Sequence, residues 1–187
     1  MKNAHGTLVA CCLSLVAIAI LFFGAGCVQE TGVSSDWEPV EPPKESVDFS
    51  VQQLDGSAVS LSGYRGRVVV MEFWATWCGP CRFSLPSLEV IYKRFRDRGV
   101  TILLINQGED AGTVRKWAER RFTAPILLDT DQHVGRLYGV SGIPRLFIVD
   151  QMGRVVYAHA GYGGGLERNL ALILEQLLSG SAQPTNG

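Results

Sequence analysis

The chain has 187 residues, 17 Lys and Arg against 18 Asp and Glu, a formal net charge of −1 and 47% hydrophobic residues. That length suits one ordinary domain with extensions, and so even a charge balance gives no electrostatic basis for binding nucleic acid. The five cysteines fall into two groups. Cys11, Cys12 and Cys27 lie near the N-terminus, and Cys78 and Cys81 lie in the interior, so the globular part has no disulfide framework to build.

Met1 to Gly6 carries Lys2, Thr7 to Phe23 is almost wholly apolar, and Gly24-Ala25-Gly26-Cys27 follows. A positive start, an apolar run and small residues read as an export signal. Small residues directly before a cysteine are similar to the lipobox of bacterial lipoproteins, which implies lipidation at Cys27. Gly24 departs from that motif, which prefers Leu at this position. The alternative is an uncleaved signal anchor, because the apolar run is near the lower limit for spanning a bilayer. Either way the rest of the chain is expected outside the cytoplasm and held at a membrane, where cysteines cycle apart from the cytosolic thiol pool.

Residues 28–46 contain Pro39, Pro42, Pro43 and several Glu, and read as a stiff solvated spacer, with Trp37 a plain linker residue in preference to one docked on the domain surface. The globular domain is expected over 47–179, with a frayed tail over 180–187. Phe49 to Gln53 and Ala58 to Leu61 flank Leu54-Asp55-Gly56-Ser57 as a short hairpin. Val68 to Trp74 is a continuous apolar run with β-branched residues, the pattern of a strand buried on both faces. A helix is predicted from about Gly79 to Arg98, ended by Gly99 and kinked at Pro86. A buried strand (Val100 to Asn106), a helix from Glu109 or Asp110 to Phe122, a short strand (Pro125 to Leu128) and a short helix (Asp131 to Tyr138) come next. Ile143 to Asp150 and Val155 to Ala160 form a second hairpin, and Leu166 to Leu178 a final amphipathic helix. This order implies an α/β fold, a central mixed sheet with helices on both faces.

The strand at Val68 runs directly into Cys78-Gly79-Pro80-Cys81 and a helix. Two cysteines two residues apart at such a junction readily form a reversible dithiol/disulfide, and the helix N-terminus favours a thiolate on the first. Pro80 suits the first helical turn, where a missing N–H costs nothing. Structural zinc, the other use of such a pair, needs two further ligands, and no second Cys pair or paired His is present.

Phe73-Trp74-Ala75-Thr76-Trp77-Cys78-Gly79-Pro80-Cys81, with Pro86 beyond, resembles the active-site segment of thioredoxins, above all the membrane-tethered TlpA-like thioredoxins of bacteria. The resemblance spans roughly Val47 to Leu178. It implies a thioredoxin fold with an extra N-terminal β-hairpin and a central αβ insertion. It also implies Cys78 as an exposed nucleophile and Cys81 as the shielded resolving thiol, joined as a redox disulfide.

Glu72 is a carboxylate inside the apolar strand and shares a face with Val70 and Trp74 by alternation. It matches the buried Asp of thioredoxins that relays a proton to the resolving thiol, and burial is expected to raise its pKa. Ile143-Pro144 matches the cis-proline loop, implying substrate contacts from Ile143 and Pro144 together with Trp77, Gly79 and Pro80. Two positions depart from the family. Ser84 stands where TlpA-like proteins often carry an acid, so Glu72 is expected to tune the site. Arg145 stands where Thr usually follows the cis-proline. It either faces the site, favouring the Cys78 thiolate and an acidic partner, or points to solvent.

The expected function is a membrane-tethered, extracytoplasmic thiol–disulfide oxidoreductase, monomeric and without cofactor or metal. It is expected to reduce disulfides of exported proteins such as apocytochrome c, with electrons from a membrane donor. A disulfide-forming oxidase is the alternative within this class. A copper-binding chaperone is the alternative outside it, raised by His133 and His159, both expected at the surface.

Overall fold

The computed structural model describes residues 33, 34 and 36–180. The expected export signal, Cys27 and the tail beyond Gly180 lie outside the described residues. Among the described residues no helix is long and apolar enough to cross a membrane.

Eight strands form one mixed sheet in the order β1-β8-β7-β4-β5-β6-β2-β3. They are β1 (Trp37–Glu45), β2 (Ser50–Gln53), β3 (Ala58–Ser60), β4 (Val68–Trp74), β5 (Val100–Gln107), β6 (Ile126–Asp129), β7 (Arg145–Val149) and β8 (Arg154–Ala160). The helices are α1 (Cys81–Phe95), α2 (Ala111–Ala118), α3 (His133–Leu137) and α4 (Leu166–Gly180). Strands β4, β5 and β6 run parallel, β7 pairs antiparallel with β4, and β8 pairs antiparallel with β7. The β2–β3 hairpin forms as expected and pairs antiparallel with β6.

Every residue of β4 is buried, which is why its sequence does not alternate. Its two faces feed different clusters. Val68, Val70 and Trp74 pack with Leu85, Leu88, Ile91 and Phe95 of α1 and Leu170, Ile173 and Leu174 of α4. Val69, Met71 and Phe73 pack with Phe49, Phe147 and Val134 of α3 on the other side. Helices therefore cover both faces of the central mixed sheet, the thioredoxin architecture. Each such apolar side chain contributes about 1.5–3 kcal/mol by leaving water.

Helix α1 stops at Phe95, short of the expected Arg98. A 3-10 turn (Arg96–Arg98) follows it, and Gly99 takes the left-handed conformation (φ 86°) that lets the chain reverse into β5. Pro86 is accommodated inside α1. Helix α2 is shorter than its sequence pattern, stopping at Ala118, and Asp110 caps its start by accepting from the Gly112 and Thr113 N–H groups.

The residues expected to form a spacer correct that reading. Trp37–Glu45 is an edge strand paired antiparallel with β8, with a register shift between Pro39 and Lys44. Its prolines are tolerated because an edge strand leaves one row of backbone groups unpaired. Trp37 is buried rather than a free linker residue, and its ring stacks on His159 with centroids 4.7 Å apart.

Candidate active site

Cys78 and Cys81 form a disulfide with an S–S distance of 2.04 Å. Pro80 is the residue just before α1, with φ −58° already helical, and Cys81 is the first residue of the helix. The Cys81 N–H donates to Cys78 Sγ at 3.2 Å. An N–H at a helix start aimed at this sulfur stabilises negative charge there once the disulfide opens. Burial differs from expectation: Cys78 is only 3% exposed, though Cys81 is shielded completely. Exposure falls instead on the neighbours. Trp77 is 69% exposed, and Phe83 is largely exposed with its ring stacked on Tyr162 at 5.9 Å. Gly79 and Pro80 are also exposed.

Glu72 is fully buried on the β4 face that packs against α1. Burial raises its pKa from 4.5 to about 8, partly opposed by a hydrogen bond with Ser84. Ser84, also fully buried, lies one turn into α1 and hydrogen-bonds both Glu72 Oε1 and the Cys81 carbonyl, the latter at 3.2 Å. When Glu72 is neutral its own proton goes to Ser84 Oγ, and the serine hydroxyl remains directed at the Cys81 carbonyl. Ser84, at the position where the family resemblance implies an acid, is thus the partner of the acid on β4.

The loop between β4 and Cys78 is fixed from two sides. Glu109 accepts from the Thr76 N–H at 2.7 Å, from the Thr76 hydroxyl at 2.5 Å and from Asn106 Nδ2 at 2.7 Å. Arg82, the residue after Cys81, donates from Nε and Nη2 to the Thr76 carbonyl at 3.0 and 2.8 Å. These hydrogen bonds to charged groups, worth about 1.5–3 kcal/mol each, hold the approach to Cys78 in one conformation. Sequence reading missed Thr76, Arg82 and Glu109. The available signal was register: Trp74 pairs with Asn106 in the parallel β4–β5 ladder, which brings Thr76 beside Glu109.

The Ile143–Pro144 peptide is cis. Arg145 pairs with Phe73 of β4, so the proline loop lies at the same end of the sheet as the loop to Cys78. Pro144 is buried, Ile143 half-buried, and the Gly161 N–H donates to the Pro144 carbonyl at 2.9 Å. Arg145 follows neither pattern weighed from sequence. Its guanidinium lies 5.1 Å from the Phe147 ring centroid and pairs with Glu38 at 3.4 Å. Phe147 belongs to the cluster on the far face of β4, so this charge is directed away from the face carrying Glu72 and α1.

His133 is exposed as expected. His159 is buried instead, because β1 covers it: Trp37 stacks on the ring and Nδ1 is 2.8 Å from the Asp36 carbonyl. Among the described residues no group of three or more His, Cys, Asp and Glu side chains is arranged to hold a metal ion.

The Redoxin family matches residues 43–171. A thiol–disulfide oxidoreductase ResA of Geobacillus kaustophilus is 34% identical over 139 residues, covering 74% of this chain and 80% of that one. The ResA of Geobacillus thermodenitrificans is 39% identical over 109 residues, 58% of this chain and 63% of its own length. Among solved structures, a protein assigned as the thiol:disulfide interchange protein DsbE of Chlorobium tepidum superposes with a TM-score of 0.69 at 29% identity. That match covers 73% of this chain and 96% of the other. With the mixed sheet and the Cys78–Cys81 disulfide at the start of α1, these likenesses make the chain a member of the Redoxin family, a TlpA-like thioredoxin and a thiol–disulfide oxidoreductase.

Proposed function

We propose that this oxidoreductase works outside the cytoplasm, tethered to a membrane through a lipidated Cys27 or an uncleaved signal, and reduces disulfides of exported proteins, apocytochrome c among them. The observation that carries this reading is the redox pair at the start of α1 above a buried carboxyl group of pKa about 8.

The Cys78 thiolate attacks one sulfur of the partner disulfide; that S–S bond breaks, a mixed disulfide forms and the partner's other sulfur leaves as thiolate. Cys81 then loses its proton towards the Glu72 carboxylate and attacks Cys78 Sγ. The mixed disulfide breaks, the Cys78–Cys81 bond forms, and the partner departs with both sulfurs reduced. Two electrons have passed to the partner, and a membrane dithiol donor restores the pair. Glu72 suits this role because both of its protonation states are accessible near neutral pH. The exposed Trp77, and the backbone of Ile143 and Pro144 at the same sheet end, supply contacts for an extended substrate segment.

The resolving role of Cys81 is tested by trapping. Cys81→Ser incubated with a disulfide-bonded apocytochrome c peptide is expected to accumulate a mixed disulfide on Cys78, seen as a mass increase reversed by dithiothreitol. Cys78→Ser is expected to form none. Equal adducts on both variants contradict the assignment.

A further inference from the structure

A groove of about 470 Å³ runs beside the redox pair between α1 and the end of α2, lined by Arg82, Pro86, Glu89, Trp117, Arg121 and Phe122. Its floor is aromatic and fixed. Trp117 packs on Trp74 of β4 at 5.3 Å and on Phe122 at 5.8 Å. Two guanidinium groups lie over the same indole, Arg121 at 4.9 Å and Arg82 at 6.0 Å.

The carboxylate in this groove is already engaged. Glu89 accepts from the Thr123 N–H, the Thr123 hydroxyl and the Ala124 N–H, and pairs with Lys93 at 3.2 Å. Burial raises its pKa, but those hydrogen bonds hold it below the usual carboxylate value. On the adjoining surface of α2, Glu119 pairs with Arg115 at 3.5 Å. Lys116 and Arg120 have no carboxylate within ion-pair distance among the described residues. In a chain of net charge −1, Arg82 and Arg121 line the aromatic groove and Lys116 and Arg120 line the surface that adjoins it at Trp117 and Arg121, none of the four in an ion pair among the described residues.

We infer that this groove binds an acidic, extended segment of the partner protein while the partner's disulfide meets Cys78. Carboxylates of such a segment pair with Arg121, Arg120 and Lys116, and its apolar side chains lie on Trp117 and Phe122. Arg82 links the groove to the chemistry, because the same guanidinium holds the Thr76 carbonyl two residues before Cys78. A concave site with an aromatic floor fits a peptide better than the flat headgroup surface of an anionic membrane. The inference rests on the disulfide-reducing activity proposed above.

The test uses the full chain and two fluorogenic peptides with the same internal disulfide, one flanked by Asp and Glu and the other by Ser and Gly. The native chain is expected to reduce the acidic peptide with roughly tenfold higher kcat/KM at low salt, chiefly through KM, as a few exposed ion pairs permit. The preference is expected to shrink towards unity at about 0.5 M salt. In K116E/R120E, two exposed positions away from the redox pair, it is expected to vanish while the neutral peptide is reduced at the native rate. Equal native rates on both peptides, or an acidic preference indifferent to salt and to K116E/R120E, overturn the inference but leave the reductase reading intact. Failure to reduce either peptide overturns both. Charge-dependent binding to phosphatidylglycerol vesicles without any peptide preference reassigns the surface to a membrane and overturns the inference.

Discussion

Replacing Glu72 with Gln is expected to make the oxidised protein progressively more stable than the native chain as pH rises from about 4.5 to about 8. The glutamine is isosteric, keeps a hydrogen bond to Ser84 and carries no ionisable proton. The native carboxyl has its folded-state pKa raised by burial from 4.5 to about 8. A group raised in this way gives its full stability below the unfolded pKa and loses it as pH rises through the folded pKa, because the unfolded chain ionises first. Between those two values the difference between the chains is expected to change by roughly 5 kcal/mol, a large fraction of the stability of a small domain. Urea unfolding of both oxidised proteins at pH 5 and pH 8.5 measures it. A difference that does not change with pH would mean that Glu72 reaches water or a cation. The same substitution is expected to slow release of the mixed disulfide by about 10²-fold, the lower range for a positioned general base, while the first attack by Cys78 stays near native. Equal slowing of both steps would remove Glu72 from the proton path.

Trp37→Ala is expected to destabilise the domain by about 3 kcal/mol, the lower end of the cost of truncating a buried aromatic. Trp37 is 4% exposed, stacks on His159 and pairs with it across β1 and β8. Removing the indole opens a cavity over an imidazole whose Nε2 already has no hydrogen-bond partner among the described residues. Trp37→Phe, which keeps a ring on His159, is expected to recover most of the loss. A Trp37→Ala chain within about 0.5 kcal/mol of native, the range of ordinary surface substitutions, would restore the solvated-spacer reading of this segment.

The centre of the molecule was legible because its constraints are local. Seven buried residues in succession leave β4 no other reading, and Cys78-Gly79-Pro80-Cys81 marks the strand-to-helix junction by composition alone. Glu72 was legible for the same reason, since a charge inside an apolar run must be accounted for. What escaped depends on pairing between distant segments. Of the nine residues of β1 only Trp37 is buried and Val40 half-buried, so three prolines and several Glu hide a strand whose place is set by β8. The burial of His159 and the direction of Arg145 both follow from that same edge, through Trp37 and Glu38. Glu109 is unremarkable beside Asp110 in the sequence and gains its part only when β4 and β5 align in parallel.

The proposed reductase requires Cys78 and Cys81 to form a reversible couple poised to reduce other proteins. The most direct measurement is the equilibrium reduction potential of that pair in the full chain, titrated against dithiothreitol and glutathione with the thiol state read by alkylation and mass. A value near about −270 mV, where thioredoxin lies, is predicted. A value near about −120 mV would contradict the claim and make the protein a donor of disulfides.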